Sequence, residues 1–140
     1  MKLKNVMGFI RSSARPIYIT AENLFYCILQ RRDLRTALLC VVRLKNIPSS
    51  VSFPHPLSIV IAYTSRIGPG CEIRQNVTIG RRAGHSRDPS GVPVIGCNVL
   101  IGAGAVILGA VSVGDRAKIG ANAVILADVP TGCTAVGVWK

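Results

Sequence analysis

Residues 94–110 read VIGCNVLIGAGAVILGA and residues 112–128 read SVGDRAKIGANAVILAD, and this pair of lines decides the fold. Laid over each other they match at Gly96/Gly114, Ile101/Ile119, Gly102/Gly120, Ala103/Ala121, Ala105/Ala123, Val106/Val124, Ile107/Ile125 and Leu108/Leu126, each pair eighteen residues apart. Within each line an Ile or Val returns every six positions. Working outward, the same beat runs through Ile61, Ile67, Ile73 and Ile79, then Ile95, Ile101, Ile107, Val113, Ile119 and Ile125. A helix beats at about 3.6 and a half-buried strand at about 2, so neither produces six. Short strands joined by tight corners do, when each side of a coil takes one hexad. Three hexads then make one coil of triangular cross-section, which predicts an all-β chain wound as a parallel β-helix. A Gly-rich β-sandwich would place turns about every eight to twelve residues instead.

The residues around each beat fit that geometry. β-Branched side chains suit a buried pleated surface. Two positions earlier come slender residues: Ser65, Cys71, Val77, Val99, Ala105, Val111, Ala117 and Ala123. One position later comes glycine at Gly68, Gly80, Gly96, Gly102, Gly114 and Gly120. Corners are expected at Thr64, Gly70, Asn76, Asn98, Gly104, Ala110, Arg116, Asn122 and Asp128, where Gly, Asn and Asp tolerate a left-handed backbone. From Ile79 to Ile95 is sixteen residues, not a multiple of six, so a loop near 81–93 must leave the prism. Loops on a rigid scaffold commonly carry function. The tail Pro130–Lys140 is too short for another full coil and is expected to close the C-terminal end.

Residues 1–46 form a different region. Thr20 can cap a helix whose apolar side is Leu24, Phe25, Ile28, Leu34, Leu38 and Val42 and whose basic side is Arg31, Arg32, Arg35 and Arg43. Such a helix can cap or flank the solenoid, or make peripheral contact with a membrane surface. Pro48 ends it, giving an N-terminal helical region over 1–46 and a β-helix domain over 47–140. The formal net charge is +11, split as nine Lys/Arg against two acids (+7) over 1–46 and eight against four (+4) over 47–140. The surplus favours polyanionic partners: coenzyme A, nucleotide-sugars, anionic lipid or nucleic acid. No recognition helix or aromatic basic platform is present, so no nucleic-acid partner is expected. The five cysteines (Cys27, Cys40, Cys71, Cys97 and Cys133) show no C-x-x-C spacing, which points to a reduced, cytoplasmic chain. Open coil ends and flat faces call for self-association, most naturally a homotrimer. With His55 and His85 the only histidines, a three-histidine metal site cannot be built from one sequence, and no metal is expected.

Three segments carry a family resemblance: Pro54-His55-Pro56-Leu57-Ser58-Ile59-Val60-Ile61, Ile73-Arg74-Gln75-Asn76-Val77-Thr78-Ile79-Gly80, and Ile101-Gly102-Ala103-Gly104-Ala105. Over roughly residues 46–138 the chain resembles the hexapeptide-repeat acyltransferases. The nearest branch is the serine acetyltransferase-like one, which includes the O-acetyltransferases of capsular and exopolysaccharide sugars. The resemblance implies a left-handed β-helix, a trimer, and acetyl transfer from acetyl-CoA between adjacent subunits. It implies that His55 is the general base, a role suited to a neutral imidazole near pH 7. It places Gly80, Ala103, Ala121 and Lys118 along the coenzyme A groove, and offers His85 as a second imidazole toward the acceptor.

Departures from the serine enzymes shape the expected acceptor. Pro54 stands where Asp precedes the base, Gly91-Val92 stand near the loop's Arg-His pair, and Asn46 replaces the acid that orients the base. The C-terminal Gly-x-Pro-Ala pattern becomes Gly137-Val138-Trp139-Lys140. The expectation is therefore an acetyl-CoA-dependent O-acetyltransferase acting on a sugar hydroxyl in polysaccharide biosynthesis. The alternatives are a serine O-acetyltransferase of cysteine biosynthesis and a catalytically degenerate β-helix scaffold.

Overall fold

Among the described residues, twelve strands of two or three residues each wind into a three-sided prism. The computed structural model describes residues 42, 46–82 and 91–140. The expected N-terminal helix and the middle of the loop, His85 included, lie outside the described residues. Side A stacks β1 (Val60–Ile61), β4 (Thr78–Gly80), β7 (Val106–Leu108), β10 (Val124–Ile125) and β12 (Val138–Trp139). Side B stacks β3 (Glu72–Ile73), β6 (Leu100–Ile101), β9 (Lys118–Ile119) and β11 (Thr134–Ala135). Side C stacks β2 (Arg66–Ile67), β5 (Val94–Ile95) and β8 (Ser112–Val113). Every paired neighbour is parallel, and the fold is a left-handed β-helix, as the sequence predicts.

The register follows the eighteen-residue repeat where the sequence is regular: Ile107 lies on Ile125 and Ile101 on Ile119. Between the second and third coils the offset is twenty-eight (101 − 73 and 107 − 79), so the loop inserts ten extra residues without disturbing the stack. The beat residues fill the interior. Ile73, Ile79, Ile101, Ile107, Ile119 and Ile125 are fully buried, and Cys71, Ala105, Ala117 and Ala123 fill the narrower slots beside them. Each such isoleucine contributes roughly 1.5–3 kcal/mol over an exposed one. Val42, Ile47 and Val51 join the same core at the N-terminal end, and Ser52 bridges to Glu72.

Six of the nine expected corners do turn through a left-handed backbone: Gly70, Asn76, Asn98, Gly104, Arg116 and Asn122. The three that do not, Thr64, Ala110 and Asp128, share the edge between sides A and C. There Gly109 takes the positive φ in place of Ala110, and the Asp128 carboxylate accepts the Ser112 N–H at 2.7 Å. A side chain thus supplies the hydrogen bond that a left-handed turn would otherwise arrange. Gly102 shows why the position after a beat residue is so often glycine. A Cβ there would stand 2.6 Å from the Ala121 nitrogen of the next coil.

The tail falls short of a full coil, as the sequence predicts. It continues the prism for two sides of a fifth coil, with β11 on β9 and β12 on β10. It does so by shortening corners: Val129 lies sixteen residues beyond Val113, and Val138 only fourteen beyond Val124. A side needs only two paired residues, so the corners give up length first. The Trp139 indole N–H then donates to the Asp128 carbonyl at 3.0 Å and ties the last strand down.

Candidate active site

His55 owes its position to a local excess of chain. Ser52 pairs with Glu72 at an offset of twenty, whereas Val60 pairs with Thr78 at an offset of eighteen. The first coil therefore carries two extra residues between sides B and A, and Pro54-His55-Pro56 occupies that bulge. The Leu57 N–H donates back to the His55 carbonyl at 2.8 Å, a three-residue turn centred on Pro56, whose ring fixes φ near the value such a turn needs. Ser58 then adopts φ 52° and the Leu57 carbonyl accepts the Asn76 N–H at 2.9 Å, restoring the regular stack. The imidazole is left exposed on the outside of the edge between sides B and A.

Ala103 and Ala121 lie on that same edge, two and three coils further along. With coils about 4.8 Å apart, they stand roughly 10 and 14 Å from His55 along the axis. Their corner is held by carbonyls: Gln75 accepts from Gly104 at 2.9 Å and Ala103 from Asn122 at 2.8 Å. Among the described residues, no hydrogen bond of the fold uses the Ala103 or Ala121 N–H. The edge thus offers a column of unspent backbone donors beside methyl-sized side chains.

The other two expected groove residues sit elsewhere. Lys118 faces outward from side B, between Leu100 and Thr134 in the ladder. Gly80 closes the far end of β4, where the loop departs, and nothing lies within 4 Å of an added Cβ there. His85 falls outside the described residues. The structure therefore brings together His55, Ala103 and Ala121, with Lys118 on the adjoining face and Gly80 across side A.

Asn46 is not beside the imidazole. Its side-chain amide donates to the Tyr63 carbonyl at 2.9 Å, at the opposite end of side A. The described acids are engaged elsewhere: Glu72 with Arg74 at 3.0 Å, Asp115 with the Cys97 N–H and Asp128 with the Ser112 N–H, each at 2.7 Å. Among the described residues no carboxylate orients His55, and no cluster of three metal-ligating side chains occurs. The bulge itself escaped the sequence reading. Its signal was the longer run from Val51 to Ile59 around a Pro-x-Pro pair.

Residues 93–127 match the family model described as bacterial transferase hexapeptide (six repeats). The serine acetyltransferase of Helicobacter pylori strain 26695 is 47% identical over 83 residues, 59% of this chain and 47% of that protein. Over the β-helix this chain is similar to hexapeptide-repeat acyltransferases, serine acetyltransferases among them. Among solved structures, the Neisseria gonorrhoeae serine acetyltransferase in complex with serine superposes with a TM-score of 0.56 at 39% identity, covering 63% of this chain and 35% of that one. A serine acetyltransferase in complex with CoA gives a TM-score of 0.55 at 42% identity, covering 62% of this chain and 34% of the other. The chain spans about a quarter to a half of the length of the curated relatives it matches.

Proposed function

We propose that this chain transfers acetyl from acetyl-CoA to a hydroxyl, and that the hydroxyl belongs to free serine. The observation carrying this reading is the edge that joins His55 to the open N–H groups of Ala103 and Ala121. Similarity to serine acetyltransferases, solved with serine in one case and with CoA in another, favours serine over the sugar expected from the residues alone. His55 takes the hydroxyl proton as the oxygen attacks the thioester carbonyl carbon. The tetrahedral oxyanion then collapses, the C–S bond breaks, and the imidazolium returns the proton to the CoA sulfur. Backbone N–H groups suit both the pantetheine arm and the developing oxyanion, and no metal is required. Lys118 and Gly80 would border the groove.

Side A supports a homotrimer. Its outward strand positions are Val60, Thr78, Gly80, Val106, Leu108, Val124 and Val138, with no charge among them. Side B carries Glu72 and Lys118, and side C carries Arg66. Burying side A between copies closes naturally about a threefold axis. The free thiols of Cys71, Cys97 and Cys133 fit a cytoplasmic setting. No described helix is long and apolar enough to cross a membrane. Peripheral contact would fall to the basic residues of 1–46, the region proposed to precede the β-helix domain of 47–140.

A second reading, transfer to a sugar hydroxyl, is favoured by Pro54 before the base and by the remoteness of Asn46. Thiol release from acetyl-CoA, followed with free serine and with a panel of sugars, separates the two. Turnover with serine alone is the expected result. Turnover restricted to a sugar would replace the acceptor, and none with any hydroxyl would leave a scaffold.

A further inference from the structure

Gln75 stands on the edge between sides B and A, one coil beyond His55 and one before Ala103. Ile73 pairs with Ile101 and Ile101 with Ile119, so positions 75, 103 and 121 stack in one column. The Asn76 N–H donates to the Leu57 carbonyl at 2.9 Å, and the Gln75 carbonyl accepts the Gly104 N–H at 2.9 Å. Those bonds tie this corner to the His55 bulge on one side and to the open alanine corner on the other. With coils about 4.8 Å apart, Gln75 lies roughly 5 Å from each along the axis.

Packing gives no reason for a carboxamide at position 75. The same column carries alanine in the next two coils, at Ala103 and Ala121. Asn76 beside it is accounted for by its left-handed backbone, but Gln75 has no such need. Gln75 is half-buried, and its Oε1 is covered without a hydrogen-bond partner, which is a cost to the fold. Its amide nitrogen is not covered in that way and makes no hydrogen bond among the described residues. One end of the carboxamide is packed, and the other is a free donor on the outer edge. A base at His55 must reach the attacking hydroxyl, and the thioester carbon lies about 3–3.5 Å from that oxygen. The pantetheine arm then runs on past Ala103 and Ala121. This sets the thioester carbonyl at the level of the second coil, beside Gln75.

We propose that Gln75 is a further catalytic residue, whose side-chain N–H donates to the thioester carbonyl oxygen as it becomes the tetrahedral oxyanion. The proposal rests on the acetyl-transfer reading. The bond strengthens as charge reaches the oxygen, so its loss slows the chemistry without weakening acetyl-CoA binding. Initial rates of thiol release are measured for the full chain, Gln75→Ala and Gln75→Glu, with acetyl-CoA varied and whichever hydroxyl supports turnover held saturating. Alanine is the residue the column itself uses, so Gln75→Ala keeps the fold and its melting temperature should hold or rise. Its kcat should fall about 10²–10³-fold with KM for acetyl-CoA near wild type. Gln75→Glu keeps the shape, but its carboxylate donates nothing and repels the oxyanion, so its kcat should fall at least as far. A merely structural role would lower stability and move KM instead. Wild-type turnover with kcat unchanged in Gln75→Ala, or a loss confined to KM, overturns this proposal and leaves acetyl transfer standing. No turnover by the wild-type chain with serine or any sugar removes the acetyl-transfer reading, and this proposal with it.

Discussion

The third and fourth coils and the first two are built from the same hexads but treat them differently. From Val94 to Ile125 the chain keeps an offset of eighteen, its inward residues are buried to the last atom or nearly so, and its corners, Ala110 excepted, turn where the repeat demands. The first two coils break the beat three times. They carry a two-residue bulge at His55, a ten-residue insertion after Gly80, and an unpartnered hydroxyl at Ser65. Regular coils hold every outward side chain at a position set by the pleat, as at Lys118. Departures from the period let a side chain stand off that lattice, as at His55. The regular half supplies the fixed edge of Ala103 and Ala121, and the interruption supplies the imidazole on the same edge.

That division makes opposite demands on two substitutions. His55→Ala removes an exposed group from a bulge, so stability should hold while acetyl transfer per mole falls about 10²–10⁴-fold, roughly 3–5 kcal/mol on the barrier. Ile107→Ala removes a fully buried side chain from the regular half and should cost about 2–5 kcal/mol of stability, leaving turnover of the folded fraction near wild type. Thermal unfolding and thiol-release assays on both variants check the pair together. A His55→Ala protein with full turnover would end the mechanism, and one that fails to fold would show that the bulge is structural.

A smaller effect sharpens the comparison inside the regular half. On the edge between sides C and B the left-handed corner is taken by Gly70, Asn98, Arg116 and Gly132. Arg116, at φ 57°, is the one residue of the four with no special tolerance for that conformation, whose strain costs about 1–2 kcal/mol for an ordinary side chain. Arg116→Asn should therefore stabilise the protein by about 1 kcal/mol, read as a shift in the urea midpoint. An unchanged midpoint would mean that the exposed arginine gains as much from its surroundings as it loses in strain.

Much of this was legible before the fold. Every beat residue from Ile61 to Ile125 is buried, because a six-residue period has one geometric solution and the side chains sit in it directly. The loop was legible as a broken count. What the sequence concealed depends on corner lengths, which a period cannot specify. The Pro54-His55-Pro56 bulge adds two residues and the tail removes two at a time, yet neither alters which residues face inward. Asn46 was read as the position of an orienting acid, by alignment with a family pattern. The fold puts it against Tyr63 instead, since spacing in a solenoid says which coil a residue joins but not which edge an irregular start will reach. The place of Gln75 was hidden for the same reason: a glutamine in a column of alanines is a small anomaly until the register sets it on the imidazole's edge.

The finest test of the inward packing is at alkaline pH. Cys71 occupies a narrow inward slot, and burial pushes its thiol above the ordinary value of 9.0, although its Sγ also donates to the Gly96 carbonyl at 3.1 Å. Unfolded chain loses that proton at the ordinary value, whereas folded chain retains it. Above that pH the unfolded state therefore binds fewer protons than the native state, and stability must fall as pH rises toward the folded value. Below it the thiol is protonated in both states and contributes no slope. Cys71→Ala places in the slot the residue already found at Ala105, Ala117 and Ala123, so it removes the titration while keeping the pattern. Urea unfolding of both proteins between about pH 8 and 10.5 should show a shallower alkaline decline in the variant. Parallel declines would mean that the slot admits solvent to the thiol, and that the second coil is less tightly closed than its inward residues imply.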